Sequence, residues 1–479
     1  MDILYRNNGN GTFTDVSEQA GITKGGYSLG AAISDVNNDG YPDIYVANDF
    51  LSSDILYINN GHGTFTDKIK ECLKHSSYAS MGCDVADFNN DGLPDIYTLD
   101  MLPEDNFRKK MIIPGASYDK FQLLLQSGYE PQYTRNALQL NNGDGSFSDI
   151  AFMAGVSSTD WSWATLFADY DNDGDKDLLV TNGFYRDLGN LDYINYQTRL
   201  NSPMGNQVGK RNQKLKAIKE LVKIPLQDYL FENNNDLTFT KRSTEWGIGQ
   251  PGFSNGACYA DLDNDGDVEI IINEFNGEAK VYRNNAEKVR TNNYISIQLQ
   301  GLPPNLQAVG SKVYLYTGHS LQMQEMNPYR GFESSVDPVL HFGTGQYKTV
   351  DSIKIIWPNG KVDLKKNINA NQRLTITYTG NYGPFKQAAI QEAVINKKGL
   401  FIETTGTHGL TYNHIENEFV DFKIQPLLPH MHSKNGPGIA TGDINSDGRE
   451  DFYIGAASGN DGSFFIQNSK GDFSEAAPI

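Results

Sequence analysis

Five acidic segments with the same spacing of oxygen-bearing side chains recur along this chain of 479 residues. Each follows the pattern Asp-x-Asp/Asn-x-Asp-Gly-x-x-Asp/Glu, and we call them acidic loops 1 to 5. They cover residues 35–43, 87–95, 169–177, 261–269 and 443–451. Calcium takes about six to eight oxygens from carboxylates, amides, backbone carbonyls and water, and a glycine at position 6 permits the tight turn. The spacing therefore predicts that each loop wraps around one cation.

The predicted ligands are the side chains at positions 1, 3, 5 and 9 of each loop and the backbone carbonyl at position 7. They are Asp35, Asn37, Asp39, Tyr41 and Asp43; Asp87, Asn89, Asp91, Leu93 and Asp95; Asp169, Asp171, Asp173, Asp175 and Asp177; Asp261, Asp263, Asp265, Asp267 and Glu269; and Asp443, Asn445, Asp447, Arg449 and Asp451. We expect up to five structural Ca²⁺ ions. A metal-free turn is the alternative, since Asp, Asn and Gly favour turns, but a turn needs no carboxylate at every ligand position. Mg²⁺ fits less well because it prefers a strict octahedron, and repeated equivalent sites argue against a catalytic role for the ions.

A second motif alternates with the loops. It is an apolar strand followed by Asn-Asn-Gly-x-Gly-Thr/Ser-Phe, as in residues 4–13, 56–65 and 138–147. The first Asn of this turn lies 28 residues before the next acidic loop in four successive repeats, and the uninterrupted period is 52 residues. Each repeat predicts four short strands, with small residues in the strand that enters the loop. This pattern favours a β-propeller, whose innermost strands converge on an axis.

Two repeats carry insertions between the acidic loop and the following turn. The insertions lie in residues 102–131 and 186–227, and they contain the helix-like stretches 118–127 and 210–223. We expect them to project from one face of the propeller. The repeat spacing also runs past both ends of the chain, which predicts a piece of a longer protein.

The charge of the chain restricts its partners. Forty Lys and Arg against 59 Asp and Glu give a net charge of −19, which would repel a nucleic-acid backbone. The basic stretch 210–223 is interpreted as a solvated helix. The sequence has no run of 18 apolar residues that would predict a transmembrane helix. We expect a monomer that binds no nucleic acid.

The loops in their strand context resemble the FG-GAP/VCBS repeats of integrin-α-like propellers, over residues 1–285 and again over 435–479. That resemblance implies a mainly β fold and calcium bound by the loops. Between these regions, residues 309–316, 329–335, 341–345 and 350–360 resemble the ASPIC/UnbV domain, a small all-β module that follows propeller repeats in cartilage-acidic-protein-like and bacterial surface proteins. Thr344 departs from the apolar residue that is usual in that family.

Three parts are therefore expected. They are an FG-GAP/VCBS propeller with helical insertions over 1–290, incomplete at its start; an ASPIC/UnbV domain over 291–380; and the start of a second FG-GAP/VCBS propeller over 381–479, incomplete at its end. Residues 401–421 and 427–437 resemble the opening of a second propeller in large Bacteroidetes-type proteins. The resemblance implies an extracellular, cell-surface or periplasmic location.

Two functions remain open. The first is a calcium-binding, non-catalytic recognition or adhesion module for a glycan or protein ligand. The alternative is a propeller enzyme, a polysaccharide lyase or hydrolase with a site near the axis. Its candidate residues are His414, Glu416, His430 and His432, because two histidines at i and i+2 of an extended strand share a face and can share a metal.

Overall fold

The computed structural model describes residues 2–112, 118–200, 207–318, 320–380, 404–410, 412–425, 428 and 430–476. The fold is mainly β, as predicted. Two compact units divide the chain, Met1–Ala388 and Ala389–Ile479, and each is described by itself. The predicted boundary at residue 290 falls inside the first unit and stays a prediction. Of the segments expected to open a second propeller, residues 401–403, 411, 427 and 429 lie outside the described residues.

The repeat region of the first unit contains short strands and a few helices. The strands are β1 Tyr5–Asn7, β2 Phe13–Asp15, β3 Tyr27–Ser34, β4 Asp43–Asp49, β5 Ile55–Asn59, β6 Phe65–Asp67, β7 Ser76–Ser77, β8 Cys83–Ala86, β9 Asp95–Thr98, β10 Gln132–Tyr133, β11 Ala137–Asn141, β12 Phe147–Asp149, β13 Ser162–Ala168, β14 Asp177–Asn182, β15 Tyr229–Asn233, β16 Phe239–Lys241, β17 Ser254–Ala260, β18 Glu269–Glu274 and β19 Lys280–Tyr282. The helices are α1 Ile69–Cys72, α2 Asn106–Met111, α3 Tyr118–Gln126, α4 Ala151–Ala154, α5 Leu191–Leu200, α6 Gln207–Glu220 and α7 Ala286–Val289.

Apart from β7 and β10, which form a short parallel pair, these strands form one antiparallel sheet per repeat. The sheets are β3-β4-β5-β6, β8-β9-β11-β12, β13-β14-β15-β16 and β17-β18-β19, which we call repeat sheets 1 to 4, and they follow the hairpin β1-β2. The prediction of four strands per repeat is confirmed for sheets 1 to 3. It is wrong for sheet 4, because the chain after β19 enters helix α7 instead of returning as a fourth strand.

Successive repeat sheets meet through their innermost strands. Strand β3 contacts β8, β8 contacts β13, and β13 contacts β17. The approach is close enough to require glycine: a Cβ on Gly82 would lie 2.1 Å from the carbonyl oxygen of Trp163, to which the Gly82 amide donates a 3.0 Å hydrogen bond. This order of contacts supports consecutive propeller blades, while closure into a ring stays a prediction.

The core lies between neighbouring sheets. One cluster joins Phe88 of loop 2 and Tyr97 of repeat sheet 2 to Phe167, Leu178 and Phe239 of repeat sheet 3. Further clusters join sheets 1 and 2 and sheets 3 and 4, so neighbouring repeats bury one another's apolar faces.

The insertions are helical, as predicted. Helix α3 corresponds to the stretch 118–127, and helix α6 begins three residues before the predicted stretch 210–223 and ends three residues earlier. Both insertions leave their sheets between the second and third strands.

A second β layer follows within the first unit. Its strands are β20 Asn293–Gln300, β21 Lys312–Thr317, β22 Ser320–Glu325, β23 Leu340–Gly345, β24 Thr349–Ile356, β25 Val362–Asn369 and β26 Gln372–Thr377. They form two sheets, β23-β20-β26 and β22-β21-β24-β25, around a core that includes Val313, Leu315, Phe342 and Trp357. The described part of residues 291–380 is all β, as the sequence predicted.

The second unit repeats the architecture of one repeat sheet. Its strands are β27 Ile439–Gly442, β28 Asp451–Ile454, β29 Ser463–Gln467 and β30 Phe473–Ala476, paired in that order. Short 3₁₀ helices at Thr405–Thr407, Asp421–Lys423 and His432–Lys434 precede the sheet.

Candidate metal centres

Each acidic loop joins the first two strands of its sheet. Loops 1 to 4 follow β3, β8, β13 and β17, and loop 5 follows β27. Position 9 is always the first residue of the second strand, as in Asp43, Asp95 and Glu269. A regular antiparallel pair therefore holds both ends of every loop.

Backbone amides wrap around the carboxylate at position 1. In loop 1, Asp39 N donates to Asp35 Oδ1 at 3.0 Å and Gly40 N donates to Asp35 Oδ2 at 2.8 Å, while Tyr41 N donates to Asp39 Oδ1 at 2.8 Å. Loops 2, 3 and 5 repeat these three bonds. The sequence predicted the glycine at position 6, where Gly40 has φ +92°. It missed that position 4 is also left-handed, which explains the Asn at Asn38, with φ +57°.

The carboxylate at position 9 closes the loop. Asp43 Oδ2 accepts from Val36 N at 3.0 Å, and Asp43 Oδ1 accepts from Asn59 N at 2.8 Å. Glu269 makes the same two bonds with Leu262 N and Asn284 N. Each carboxylate oxygen keeps a lone pair that can bind a cation. The carboxylate at position 9 can therefore close the loop and coordinate a cation at the same time.

The first Asn of three turns links consecutive loops. Asn141 Nδ2 donates to Pro94 O of loop 2 at 3.0 Å and to Val36 O of loop 1 at 2.8 Å. Asn233 and Asn284 bridge loops 2 and 3 and loops 3 and 4 in the same way. The bridge joins each turn to its own loop and to the loop before it, and not to the next loop, so the constant interval of 28 residues did not predict it.

Three buried carboxylates converge in loop 3. Oxygens of Asp169, Asp171 and Asp177 lie within 4.8 Å of one another, and all three residues are buried. Burial first, and then the neighbouring carboxylates, raise the pKa of Asp171 to about 6 and raise the pKa of Asp169 and of Asp177 well above the ordinary value. Burial also raises the pKa of Asp173 to about 6.

Loop 4 has two overlapping groups of carboxylates. Asp261, Asp263 and Asp265 form one, and Asp265, Asp267 and Glu269 form the other, each within 4.8 Å. Asp261 Oδ1 and Asp267 Oδ1 are buried and accept no hydrogen bond from any described residue. Burial and the adjacent Glu287 carboxyl raise the pKa of Asp267 to about 8. Buried carboxylate oxygens with no donor fit a hard cation such as Ca²⁺, which is bound by oxygen ligands.

The other loops differ in their surroundings. Burial raises the pKa of Asp43 in loop 1 to about 7 and of Asp87 in loop 2 to about 6, where Lys176 opposes the shift. Burial raises the pKa of Asp447 in loop 5, but hydrogen bonds from the Arg449 amide and the Asn445 side chain lower it by more. The pKa of Asp447 therefore lies below its usual value. The Arg449 guanidinium also pairs with Asp447.

Basic side chains from other elements reach loops 1 to 3, and no sequence pattern predicted them. Lys312 Nζ of strand β21 lies 2.8 Å from Asp35 Oδ2. Lys176 Nζ of loop 3 donates to Asp87 O at 2.6 Å. An Arg290 guanidinium nitrogen lies 2.9 Å from an Asp171 carboxylate oxygen. These cations offset part of the charge of the buried carboxylates.

The innermost strands enclose an ion pair, not an open channel. Arg330 Nε donates to Asp84 Oδ1 at 2.8 Å, Arg330 Nη1 donates to Tyr259 Oη at 2.7 Å, and Arg330 Nη2 donates to Phe167 O at 2.9 Å. The cavity that remains beside Arg330 has a volume of about 40 Å³. Ligand pockets for small organic molecules measure roughly 300–1,000 Å³, so this cavity is too small for a sugar residue.

The four residues of the enzyme alternative lie in the second unit. His414 Nε2 is 2.9 Å from Glu416 Oε1, and the rings of His430 and His432 are 4.4 Å apart at 64°. The extended strand assumed for the two histidines is wrong, because His432 begins a 3₁₀ helix. Within the described residues, these side chains form no group of three ligand atoms close enough to share a metal.

Sheets built on acidic loops, followed by a compact all-β layer, define the class of protein. Residues 1–46, 35–98 and 124–180 match the family model of the FG-GAP-like repeat, and residues 301–382 match that of ASPIC and UnbV. The chain therefore carries FG-GAP-like repeats and an ASPIC and UnbV domain, as the sequence predicted. Loops 4 and 5 lie outside the matched residues and are assigned from their geometry.

Among curated proteins, the chain is similar to Cartilage acidic protein 1. Identity is 24% with the proteins of Xenopus tropicalis and of Mus musculus, each over 73% of this chain and 44% of the relative. The Homo sapiens protein is 23% identical over 75% of this chain and 45% of its own length. The chain thus spans less than half the length of these relatives.

A solved structure of the Photorhabdus luminescens Tc holotoxin pore is also similar, with 12% identity, a TM-score of 0.25, and coverage of 72% of this chain and 13% of that one. In the part of the chain that the structure describes, every helix is too short or too polar to cross a membrane.

Proposed function

We propose that this chain is part of a calcium-stabilised, non-catalytic recognition or adhesion protein that works outside the cell. The single observation that carries the proposal is an acidic loop between the first two strands of five sheets, with carboxylates that converge in loops 3 and 4 and buried carboxylate oxygens in loop 4 that lack a donor. The FG-GAP-like repeats, the ASPIC and UnbV domain and the similarity to Cartilage acidic protein 1 support a non-enzymatic role.

Calcium is the cation that these loops suit best. Loops 3 and 4 offer four carboxylates at positions 1, 3, 5 and 9, whereas loops 1, 2 and 5 offer three carboxylates and one Asn. Affinity for Ca²⁺ grows with the charge of the ligand set, so loops 3 and 4 should fill first. The ions would stabilise the sheets, because each loop is the connection between two core strands.

The helical insertions are the proposed recognition surface for a glycan or protein ligand. They leave repeat sheets 2 and 3 at equivalent places. They expose large apolar side chains, including Phe107 and Leu123 of the first insertion and Tyr196 of the second. Binding residues commonly lie on such excursions from a rigid scaffold.

Calorimetric titration of metal-stripped protein with Ca²⁺ tests the calcium assignment. Asp171→Asn and Asp263→Asn should each remove or weaken one of the tightest sites, whereas Asp144→Asn, in an exposed turn, should leave the titration unchanged. A protein that binds no Ca²⁺, or that loses binding equally in all three variants, would contradict the proposal. Glycan arrays and cell-adhesion assays with and without Ca²⁺ then identify the ligand class, and turnover of any polysaccharide would contradict the non-catalytic role.

A further inference from the structure

Repeat sheet 4 has an open edge where the other sheets have a fourth strand. Among the described residues, β19 pairs with β18 alone, whereas β5, β11 and β15 each pair on their far side with β6, β12 or β16. Beside β19 lies a groove with a volume of about 340 Å³. Its walls include Tyr170, Trp246, Ile248, Tyr282 and Asn284.

The internal repeats show what fills this position elsewhere. Each complete fourth strand begins with a phenylalanine, and these are Phe65, Phe147 and Phe239. Phe239 packs on Phe88, which is position 2 of the preceding loop, with ring centroids 5.7 Å apart. Tyr170, which forms one wall of the groove, is position 2 of loop 3. It therefore occupies the position that Phe88 occupies beside Phe239 in repeat sheet 3.

The turn that follows the previous fourth strand forms the other wall. In the filled site of sheet 1, Phe65 N donates to Ala20 O at 2.8 Å, next to Gly21, which has φ +80°. In the sequence, Trp246 and Gly247 occupy the positions of Ala20 and Gly21, and Gly247 has φ +88°. The backbone acceptor and the apolar wall are therefore both present beside β19.

The main chain of β19 is also left uncovered. The residue after each complete fourth strand donates to the carbonyl of a leucine in the third strand, as Lys68 N does to Leu56 O at 2.8 Å. Val281 occupies the position of Leu56 but has no such strand beside it among the described residues. Its side chain is 62% exposed for a separate reason: the equivalent leucines pack against the next repeat sheet, and no repeat sheet follows sheet 4 in the described part of the first unit.

We propose that the edge of β19 is a docking site for an extended segment of a partner polypeptide that carries Phe-Thr/Ser-Asp. The segment adds to sheet 4 as its fourth strand, antiparallel to β19, by the pairing that β6 makes with β5. Its phenylalanine lies opposite Asn284 and fills the groove between Tyr170 and Trp246. Its aspartate lies opposite Tyr282.

This docking site is a partner surface and rests on the proposed recognition role, but its test measures peptide binding and not cation binding. The chemistry is specific because an edge strand supplies the main-chain hydrogen bonds and the groove selects one aromatic side chain. A failed peptide titration therefore leaves the calcium titration unaffected, and the two proposals can fail separately.

The test is fluorescence anisotropy with a labelled peptide that copies residues 11–22 of this chain, which contain a fourth-strand sequence and its following turn. We expect saturable binding with one peptide per chain. Replacing the phenylalanine of the peptide by alanine should weaken binding at least about tenfold, since a buried aromatic anchor dominates such contacts. Hydrogen exchange should show that the peptide protects the amides of β19.

Trp246→Glu supplies the matched variant. It places a charge on a half-buried wall of the groove, so peptide binding should be lost, and circular dichroism checks that the fold persists. The control is Phe107→Glu, which replaces an exposed aromatic residue outside the groove by the same charged residue. Absence of binding, binding that ignores the phenylalanine of the peptide, or protection located away from β19 would each overturn the proposal.

Discussion

The charge of acidic loop 3 makes a quantitative prediction about stability. Oxygens of Asp169, Asp171 and Asp177 lie within 4.8 Å of one another. With an effective dielectric constant of about 20, two unit charges at that distance repel by about 3.5 kcal/mol, and three ionised carboxylates by roughly 10 kcal/mol. That approaches the whole free energy of unfolding of an ordinary domain, about 5–15 kcal/mol. Arg290 beside Asp171 offsets part of this repulsion, and the remainder favours a loop that holds protons or a cation.

The metal-free protein should become less stable as the pH rises. Burial raises the pKa of Asp171 and of Asp173 to about 6 in the folded state, whereas an unfolded Asp has a pKa of about 3.9. The two protonated carboxyl groups contribute their full stabilisation below the unfolded pKa of about 3.9. That stabilisation is lost as the pH rises through the folded pKa of about 6. Each extra proton held by the folded state gives a slope of about −1.4 kcal/mol per pH unit.

Calcium should reverse this dependence. Protons compete with the cation for the same oxygens, so binding strengthens as the carboxylates ionise. At a free Ca²⁺ concentration of about a hundred times Kd, each occupied site adds about 2.7 kcal/mol. The free energy of unfolding in Ca²⁺ should therefore exceed that in EGTA by a margin that widens with pH.

The assay is denaturant unfolding of metal-stripped protein across about pH 5 to 8, in Ca²⁺ and in EGTA, followed by circular dichroism. Asp171→Asn should narrow the difference between the two curves at high pH, because it removes one charge and one ligand. Asp144→Asn is the control, since Asp144 lies in an exposed turn outside the loops. A difference between Ca²⁺ and EGTA that is zero, or that stays constant with pH, would refute the reasoning.

Three further predictions concern the packing around the loops. Asn141→Ala should cost about 1–3 kcal/mol, since it leaves two buried carbonyls unpaired, while Asn142→Ala on the exposed side of the same turn should cost much less, as urea unfolding can show. Arg330→Met should lower the free energy of unfolding by about 3–5 kcal/mol, because Asp84 remains as a buried, unpaired charge. A smaller loss than that of an Arg→Met change at an exposed position would contradict the role of the ion pair. Burial lowers the pKa of His341 to about 4, so its neutral form adds stability above about pH 6.5 that is lost as the pH falls toward 4. The urea midpoint of His341→Gln should therefore depend less on pH in that window, and equal pH profiles would show that His341 titrates normally.

The local pattern predicted the loops well because its information is short-range. A tight turn needs Gly at position 6, and cation ligands need oxygens at fixed offsets, so nine residues of sequence suffice. The helical insertions were also recognised, because they interrupt a regular period. The turn motif is truncated at residues 282–285, but the sequence did not show that the chain enters helix α7 there instead of forming a fourth strand.

The side chains that surround the loops could not be predicted, because they come from distant parts of the sequence. Lys312 is far from Asp35 in sequence, and Arg330 is far from Asp84, yet each pair meets in the fold. No periodicity links such residues. The burial that raises the pKa of the loop carboxylates is likewise a property of packed sheets and not of the loop sequence.

The sequence by itself determined the mainly β repeat, the places of five acidic loops and the all-β layer, because these depend on residue types at fixed short spacings. The tertiary structure decided which carboxylates converge, which basic side chains balance them, and that Val281 is exposed where Leu56 is buried. The physical reason is that charge balance and burial depend on the neighbour that packs against a residue, and that neighbour comes from a distant part of the chain.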